Sequence, residues 1–135
     1  MADSGCQEER QALLAGVSQR APEILALARW MGENPELSLV EYATSDRYVA
    51  YLEARGFEVS RGSAGLETAF VAERGEPEAA LCVALLAEMD ALPEIGHACG
   101  HNLSGPASLL AAAALSETLP PATLRVRVVG CPAEE

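Results

Sequence analysis

No other feature limits the fold as strongly as the apolar run Ala80–Ala87, which a helical segment and a second apolar run follow. The length and composition of this run favour a strand that is buried on both faces, and make it the best candidate for a central strand. The alanine-rich segment Pro106–Leu119 predicts a helix that Pro120 ends, and Leu124–Val129 predicts another strand. Strand, loop, helix and strand form a crossover unit, so we expect a partly parallel sheet.

Helices and short strands are also predicted upstream of this unit. Apolar residues recur at helical spacing over Glu8–Met31, where Pro22 predicts either a bend or two abutting helices. A second helix is predicted over Val40–Arg55, and strands over Phe57–Val59 and Thr68–Ala72. A chain of 135 residues is long enough for one domain. The predicted fold class is α/β, a layered sheet with flanking helices.

Charge and hydropathy exclude several kinds of partner. The formal charge is -11, with nine arginines and no lysine, so a phosphate backbone would be repelled and no nucleic acid partner is expected. The longest helical apolar stretch, Leu109–Leu115, is much shorter than the ~20 residues of a membrane span. Met1–Gln11 is polar and acidic and does not resemble a signal peptide, so we expect a cytoplasmic protein.

The four cysteines do not form a disulfide pattern. They lie far apart without paired spacing, as in proteins of reducing compartments. Cys82 and Cys131 lie in or beside apolar strands, where a cysteine usually acts as a small buried apolar residue. Only Cys99 has neighbours that suggest chemistry.

Those neighbours are the only histidines of the chain, His97 and His101. Gly100 lets the backbone turn so that the Cys99 thiolate and the His101 imidazole can face one point, and zinc, manganese or cobalt would accept such donors. The alternative is a buried cysteine beside a histidine that caps a helix. Asn102 or Ser104 could also cap that helix, whose free amides would favour a thiolate.

Carboxylates flank this segment and end the sequence. Asp90 follows a strand, from where it could hold the far nitrogen of a metal-bound imidazole, touch the metal, or simply form a turn. Glu88 points to the same side if the strand extends that far. Of Glu134 and Glu135, one could activate water while the other holds a metal, although adjacent acids are also common on surfaces. His97 is interpreted as a neighbour of the ligands and not as a ligand.

Three segments resemble the M20 family of metallopeptidases, in particular its amidohydrolase and aminoacylase-like dipeptidase branch. Glu88–Asn102 is similar to the Asp-Ala-Leu-Pro and His-Ala-Cys-Gly-His elements of that branch, and Gly130–Glu135 to its Pro-Ala-Glu-Glu element. Asn34–Glu41 is similar to its Pro-Glu-Leu turn. The elements occur in the same order, and the resemblance spans nearly the whole chain.

The resemblance implies an amide hydrolase with two divalent metal ions, zinc being favoured over manganese or cobalt. It implies that Cys99 bridges the ions, that His101 and Glu135 bind metal, and that Glu134 is the general base. Asp90 joins Glu134 as the second expected catalytic residue, and we place His97 and Asn102 beside the ligands. The implied substrates are small N-acyl amino acids, dipeptides or aryl-glutamate amides.

The sequence departs from this family in its length. Family members are several hundred residues long and supply further histidines and a smaller domain used for dimerisation and closure. We therefore expect residues 1–135 to be the N-terminal portion of a zinc-peptidase-like catalytic domain, truncated, with an incomplete metal site and little activity alone, and a homodimer to occur only in a full-length form. Many relatives also carry aspartate where this chain has Asn102.

Two other interpretations stay open. One is a non-catalytic module that binds metal weakly or pairs with a partner subunit. The other is an α/β domain in which Cys99 is sensitive to oxidation.

Overall fold

The computed structural model describes residues 2–135, with side chains from residue 5 onward. In chain order the elements are α1 (Ala2–Glu33), α2 (Tyr42–Glu53), β1 (Glu58–Arg61), β2 (Phe70–Arg74), β3 (Leu81–Glu88), α3 (His101–Thr118) and β4 (Leu124–Cys131). A short 3₁₀ turn, Ser63–Gly65, joins β1 to β2. None of the described helices combines the length and the apolarity that a membrane span requires.

The four strands form one mixed sheet in the order β1-β2-β4-β3. The pairs β1·β2 and β2·β4 are antiparallel, whereas β3 and β4 are parallel and joined by α3. The predicted α/β class and the predicted crossover unit are confirmed. Because β3 and β4 are parallel, their carboxyl ends lie at the same edge of the sheet.

The helices cover one face of this sheet. Helix α3 packs on β3 and β4, α2 packs on β1 and β2, and α1 packs on α3. Burial alternates along β4, where Val126 and Val128 are fully buried while Arg125 and Arg127 are partly exposed on the other face. Both arginines pair with Glu73 there, each at 2.6 Å.

The position of β3 corrects one prediction. We expected a central strand buried on both faces, but β3 is an edge strand of the described sheet, and Leu81 and Leu86 are 62% and 58% exposed. An apolar run indicates that the faces of a strand can be buried, but it does not determine whether the strand has a neighbour on each side in the sheet. Among the described residues, nothing pairs along the outer edge of β3.

One helix agrees with the prediction and another begins earlier than expected. Helix α1 continues through Pro22, so the predicted single helix forms and the alternative of two abutting helices does not. Helix α3 begins at His101 and not at Pro106, with Gly100 at its N-cap and no side-chain cap. Neither Asn102 nor Ser104 therefore caps this helix.

Candidate metal centre

The candidate site lies where the parallel strands β3 and β4 end. Glu88 closes β3 directly opposite Cys131, the last residue of β4. The segments that continue from these two residues carry the ligands predicted from the sequence. The sheet therefore brings together residues that lie more than thirty positions apart in the chain, as expected for the carboxyl edge of parallel strands.

Gly100 shapes the turn between the thiol and the imidazole. Its φ is 92°, in the region that favours glycine, and a Cβ added there would meet no atom within 4 Å. The residue is thus required by backbone conformation and not by crowding. Ligand atoms of Cys99, His101 and Glu135 all lie within 4.8 Å of one another. These three predicted metal ligands meet at one point.

Asp90 is fully buried and orients the His101 ring. His101 Nδ1 lies 3.1 Å from Asp90 Oδ1 and 3.0 Å from the Asp90 carbonyl oxygen. Asp90 Oδ2 accepts hydrogen bonds from Ser38 Oγ at 2.9 Å and from the Glu135 amide at 3.2 Å. Burial alone would raise the pKa of Asp90, but these hydrogen bonds and one from the Glu134 amide outweigh it and lower the pKa below its ordinary value.

The proton of His101 is located by its neighbours. Both atoms facing Nδ1 are acceptors, so Nδ1 carries the hydrogen and the neutral ring presents its lone pair at Nε2. Nε2 faces carboxylate oxygens of Glu88 at 3.4 Å, Glu134 at 3.4 Å and Glu135 at 3.9 Å. Lone pairs that face one another in this way are repulsive unless a cation lies between them or the ring gains a second proton.

The donor set suits a divalent transition metal. A buried imidazole nitrogen, a thiol and carboxylates are the ligands that zinc takes in catalytic sites, and manganese or cobalt accepts the same donors. A carboxylate behind the imidazole, as Asp90 is here, is the usual support of a metal-bound histidine. The residues present therefore fit the predicted ion.

Two buried carboxylates hold the segment that carries Glu134 and Glu135. Glu41 is fully buried and accepts hydrogen bonds at 2.9 Å from the amides of Ala133 and Leu39 and from the Thr68 hydroxyl. Asp90 accepts from the Glu135 amide. Because this segment has no regular secondary structure, these hydrogen bonds determine its path.

His97 and Asn102 occupy different surroundings. Both ring nitrogens of His97 are buried and have no hydrogen-bond partner among the described residues. Burial lowers the pKa of His97, and nearby His101 lowers it further, against the opposing effect of Asp90. The Asn102 side chain is directed toward α1, where Nδ2 donates to the Ala28 carbonyl at 3.4 Å.

Sequence reasoning did not identify several residues that shape this site. Ser38 and Glu41 received no role in the sequence analysis, Ser104 was considered only as a helix cap, and Glu88 was noted only for its direction. Glu41 lies in the segment Asn34–Glu41, which the family resemblance had marked. That resemblance was the one signal that could have linked Glu41 to the site, since the contacts themselves join distant parts of the chain.

Comparison with known proteins shows what this chain is similar to. No family model matches the chain. The Xaa-Arg dipeptidase of Mus musculus is 38% identical over 131 residues, which cover 88% of this chain and 30% of the relative. One of the subunits of the p-aminobenzoyl-glutamate hydrolase of Escherichia coli K12 is 33% identical over 128 residues, which cover 81% of this chain and 26% of the relative.

Solved structures agree with these relatives. A Bacillus subtilis protein, described as a dinuclear metal-binding peptidase from the M20 family, matches with a TM-score of 0.71 and 26% identity, over 89% of this chain and 36% of that one. An aminobenzoyl-glutamate utilization protein from Klebsiella pneumoniae shares the fold, with a TM-score of 0.71 at 18% identity, over 91% of this chain and 39% of that one. The chain thus spans about a third of the length of the proteins it matches. By sequence and by fold, the chain is similar to part of these proteins, one of which is described as a peptidase of the M20 family.

Proposed function

We propose that this chain supplies part of the active site of a metal-dependent amide hydrolase. The observation that carries the proposal is the orientation of His101, whose Nδ1 is held by Asp90 while Nε2 faces a group of carboxylates. We further propose that the whole protein is a cytoplasmic homodimer and that residues 1–135 form the N-terminal portion of its catalytic domain.

The names of the relatives support the proposed substrates. They describe a dipeptidase with specificity for Xaa-Arg, a hydrolase of p-aminobenzoyl-glutamate, and a thermostable carboxypeptidase. Each of these activities breaks an amide bond, either in a small molecule or at the end of a peptide. We therefore propose small N-acyl amino acids, dipeptides or aryl-glutamate amides as the substrates.

In this proposal Cys99, His101 and Glu135 hold the metal. His101 offers a single free nitrogen, so it belongs to one ion, whereas the Cys99 thiolate can be shared between two. Zinc suits the thiolate and imidazole donors best. When bound, the ions would polarise the amide carbonyl of the substrate as Lewis acids.

Glu134 is the proposed general base. Its side chain is 50% exposed, and its Oε2 lies 3.4 Å from His101 Nε2, so its carboxylate reaches both solvent and the metal position. It would take a proton from the attacking water and give that proton to the amide nitrogen as the C–N bond breaks. Asp90 would keep the His101 hydrogen on Nδ1 throughout, which leaves Nε2 available to the ion.

Zinc binding by the chain itself tests the proposed centre. The chain is dialysed against zinc, and the bound metal is measured by mass spectrometry for wild type, Cys99→Ala and Cys82→Ala. We expect wild type and Cys82→Ala to bind zinc equally, because Cys82 is exposed on β3 away from the site. Cys99→Ala should lose most of the metal, and equal zinc in all three proteins would contradict the proposal.

Hydrolysis is tested in a longer protein, because the chain matches 30% of the Xaa-Arg dipeptidase. Residues 1–135 replace the matching segment of that enzyme, and the chimera is assayed with a dipeptide that ends in arginine. We expect turnover that Glu134→Gln abolishes while zinc binding persists. A chimera that folds and binds zinc but never turns over would favour a second candidate, a non-catalytic module that binds metal.

A further inference from the structure

We propose that Glu88, the last residue of β3, is an additional ligand of the cation that His101 binds. The inference rests on the metal centre proposed above and adds a carboxylate that the sequence reasoning did not assign to it. Ligand atoms of Glu88, His101 and Glu134 lie within 4.8 Å of one another, and this group shares His101 with the group of Cys99, His101 and Glu135.

The separations match those of ligands on one ion. Zinc lies about 2.0–2.2 Å from nitrogen and oxygen ligands, so two ligands at a tetrahedral angle are about 3.4 Å apart. His101 Nε2 lies 3.4 Å from Oε2 of Glu88. This separation is too long for a good N–H···O hydrogen bond.

Hydrogen bonds hold both the side chain and the main chain of Glu88 in place. Its Oε2, the atom that faces His101, accepts a hydrogen bond from Ser104 Oγ at 2.9 Å. Its main-chain carbonyl accepts one from Tyr48 Oη at 3.2 Å. The Glu88 side chain is only 28% exposed although the residue ends an edge strand. A carboxylate oriented in advance by a hydroxyl is typical of metal ligands and unlike a freely rotating surface acid.

The charge around His101 favours a cation. Four carboxylates, those of Glu88, Asp90, Glu134 and Glu135, lie within 4.0 Å of the ring nitrogens. Among the side chains that the structure describes, no arginine lies within that distance of any of the four. Protonation of His101 would offset one of these charges, whereas a divalent ion offsets two and binds the oxygens directly.

The test is a titration of the chain with Zn²⁺ and with Co²⁺, comparing wild type with Glu88→Gln, Cys99→Ala and Glu53→Gln. Glu53 is the matched control, an exposed glutamate of α2 outside the site. We expect Glu88→Gln to weaken Zn²⁺ binding about 10–100-fold and Glu53→Gln to leave it unchanged. With Co²⁺, Glu88→Gln should alter the visible ligand-field bands but keep the near-ultraviolet thiolate absorption, which Cys99→Ala should remove.

Loss of fold would not explain this result. Glu88→Gln removes a negative charge from beside Glu134 while keeping a side-chain oxygen for Ser104, so the metal-free variant should resist urea at least as well as wild type. Zn²⁺ affinity within twofold of wild type in Glu88→Gln, alongside a loss in Cys99→Ala, would overturn ligation by Glu88 and leave the proposed centre intact. If wild type bound no Zn²⁺, the proposed centre itself would fail.

Discussion

Replacing Asp90 with asparagine should weaken both the fold and metal binding. Asp90 Oδ1 faces His101 Nδ1, and Oδ2 accepts from the Ser38 hydroxyl and the Glu135 amide. Asparagine has one acceptor oxygen and one NH₂ group, so in either orientation the NH₂ group faces a donor. If it faces Nδ1, the Nδ1 hydrogen keeps only the main-chain carbonyl oxygen of residue 90 as an acceptor, so the ring is held less firmly with its lone pair at Nε2.

The magnitude follows from the number of donors that lose a partner. Asp90 is fully buried, and one unpaired buried donor costs about 1–3 kcal/mol. We therefore expect the free energy of unfolding to fall by ~2 kcal/mol, which shifts the urea midpoint by about 1 M at an m-value near 2 kcal/mol/M. Zn²⁺ affinity should fall about 10–100-fold, because the residue behind a metal-bound histidine is lost.

Urea denaturation followed by circular dichroism, with and without Zn²⁺, measures both effects. Asp46→Asn is the control, because the Asp46 side chain is 69% exposed and pairs with Arg61 at the surface. That change should alter stability by less than about 0.5 kcal/mol. If Asp90→Asn unfolded and bound Zn²⁺ as wild type does, the Asp90 carboxylate would not be the group that orients His101.

Three further predictions address the packing around the site. In Gly105→Ala the new Cβ would clash with the Tyr48 hydroxyl and the Glu88 carbonyl. Such overpacking costs about 1–3 kcal/mol, so the melting temperature should fall by more than about 5 °C. An unchanged melting temperature would contradict this packing. Glu41→Ala leaves the Thr68 hydroxyl and two amides unpaired and should cost ~3 kcal/mol or more in urea, whereas a cost under ~1 kcal/mol would refute the role of Glu41. Burial raises the pKa of Glu73, but hydrogen bonds from Arg127 and Arg125 outweigh it and hold the pKa below 4.5. The stability that wild type has over Glu73→Gln should therefore be complete above pH 4.5 and be lost as pH falls through the lowered pKa. A difference in urea midpoint that grows as the pH falls would contradict that sign.

The meeting of the two chemical segments was predictable from the sequence. A strand, a helix and a second strand form a right-handed parallel unit, and parallel strands end at the same edge. Cys99 and Glu135 therefore converge although α3 and β4 lie between them in the chain. The one-residue spacing around Gly100 likewise predicted that Cys99 and His101 share a site.

The edge position of β3 and the support of the ligands were not predictable in the same way. Strand order depends on which strands pair, and hydrophobicity along Ala80–Ala87 carries no information about that choice. The contact of Ser38 with Asp90 joins residues 52 positions apart and leaves no periodic signal. Buried carboxylates such as Glu41 contradict the usual exposure of glutamate, so their burial is recognisable only when their donors are known.

The buried carboxylates of Glu41 and Asp90 connect the turn before α2 with the segment after β4 that carries Glu134 and Glu135. Ala133 has a φ of 52°, a conformation that alanine adopts at a cost of roughly 1–2 kcal/mol, so the segment after β4 does not take this path by itself. Glu41 binds the Ala133 amide and Asp90 binds the Glu135 amide, one on each side of Glu134. Asp90 in turn accepts a hydrogen bond from Ser38. The main chain of the turn also pairs with the residue after Asp90, through the parallel bridge between Leu37 and Ala91. The position of the proposed base relative to His101 therefore depends on residues 36–41, and changes in that turn should alter the metal centre without touching a ligand.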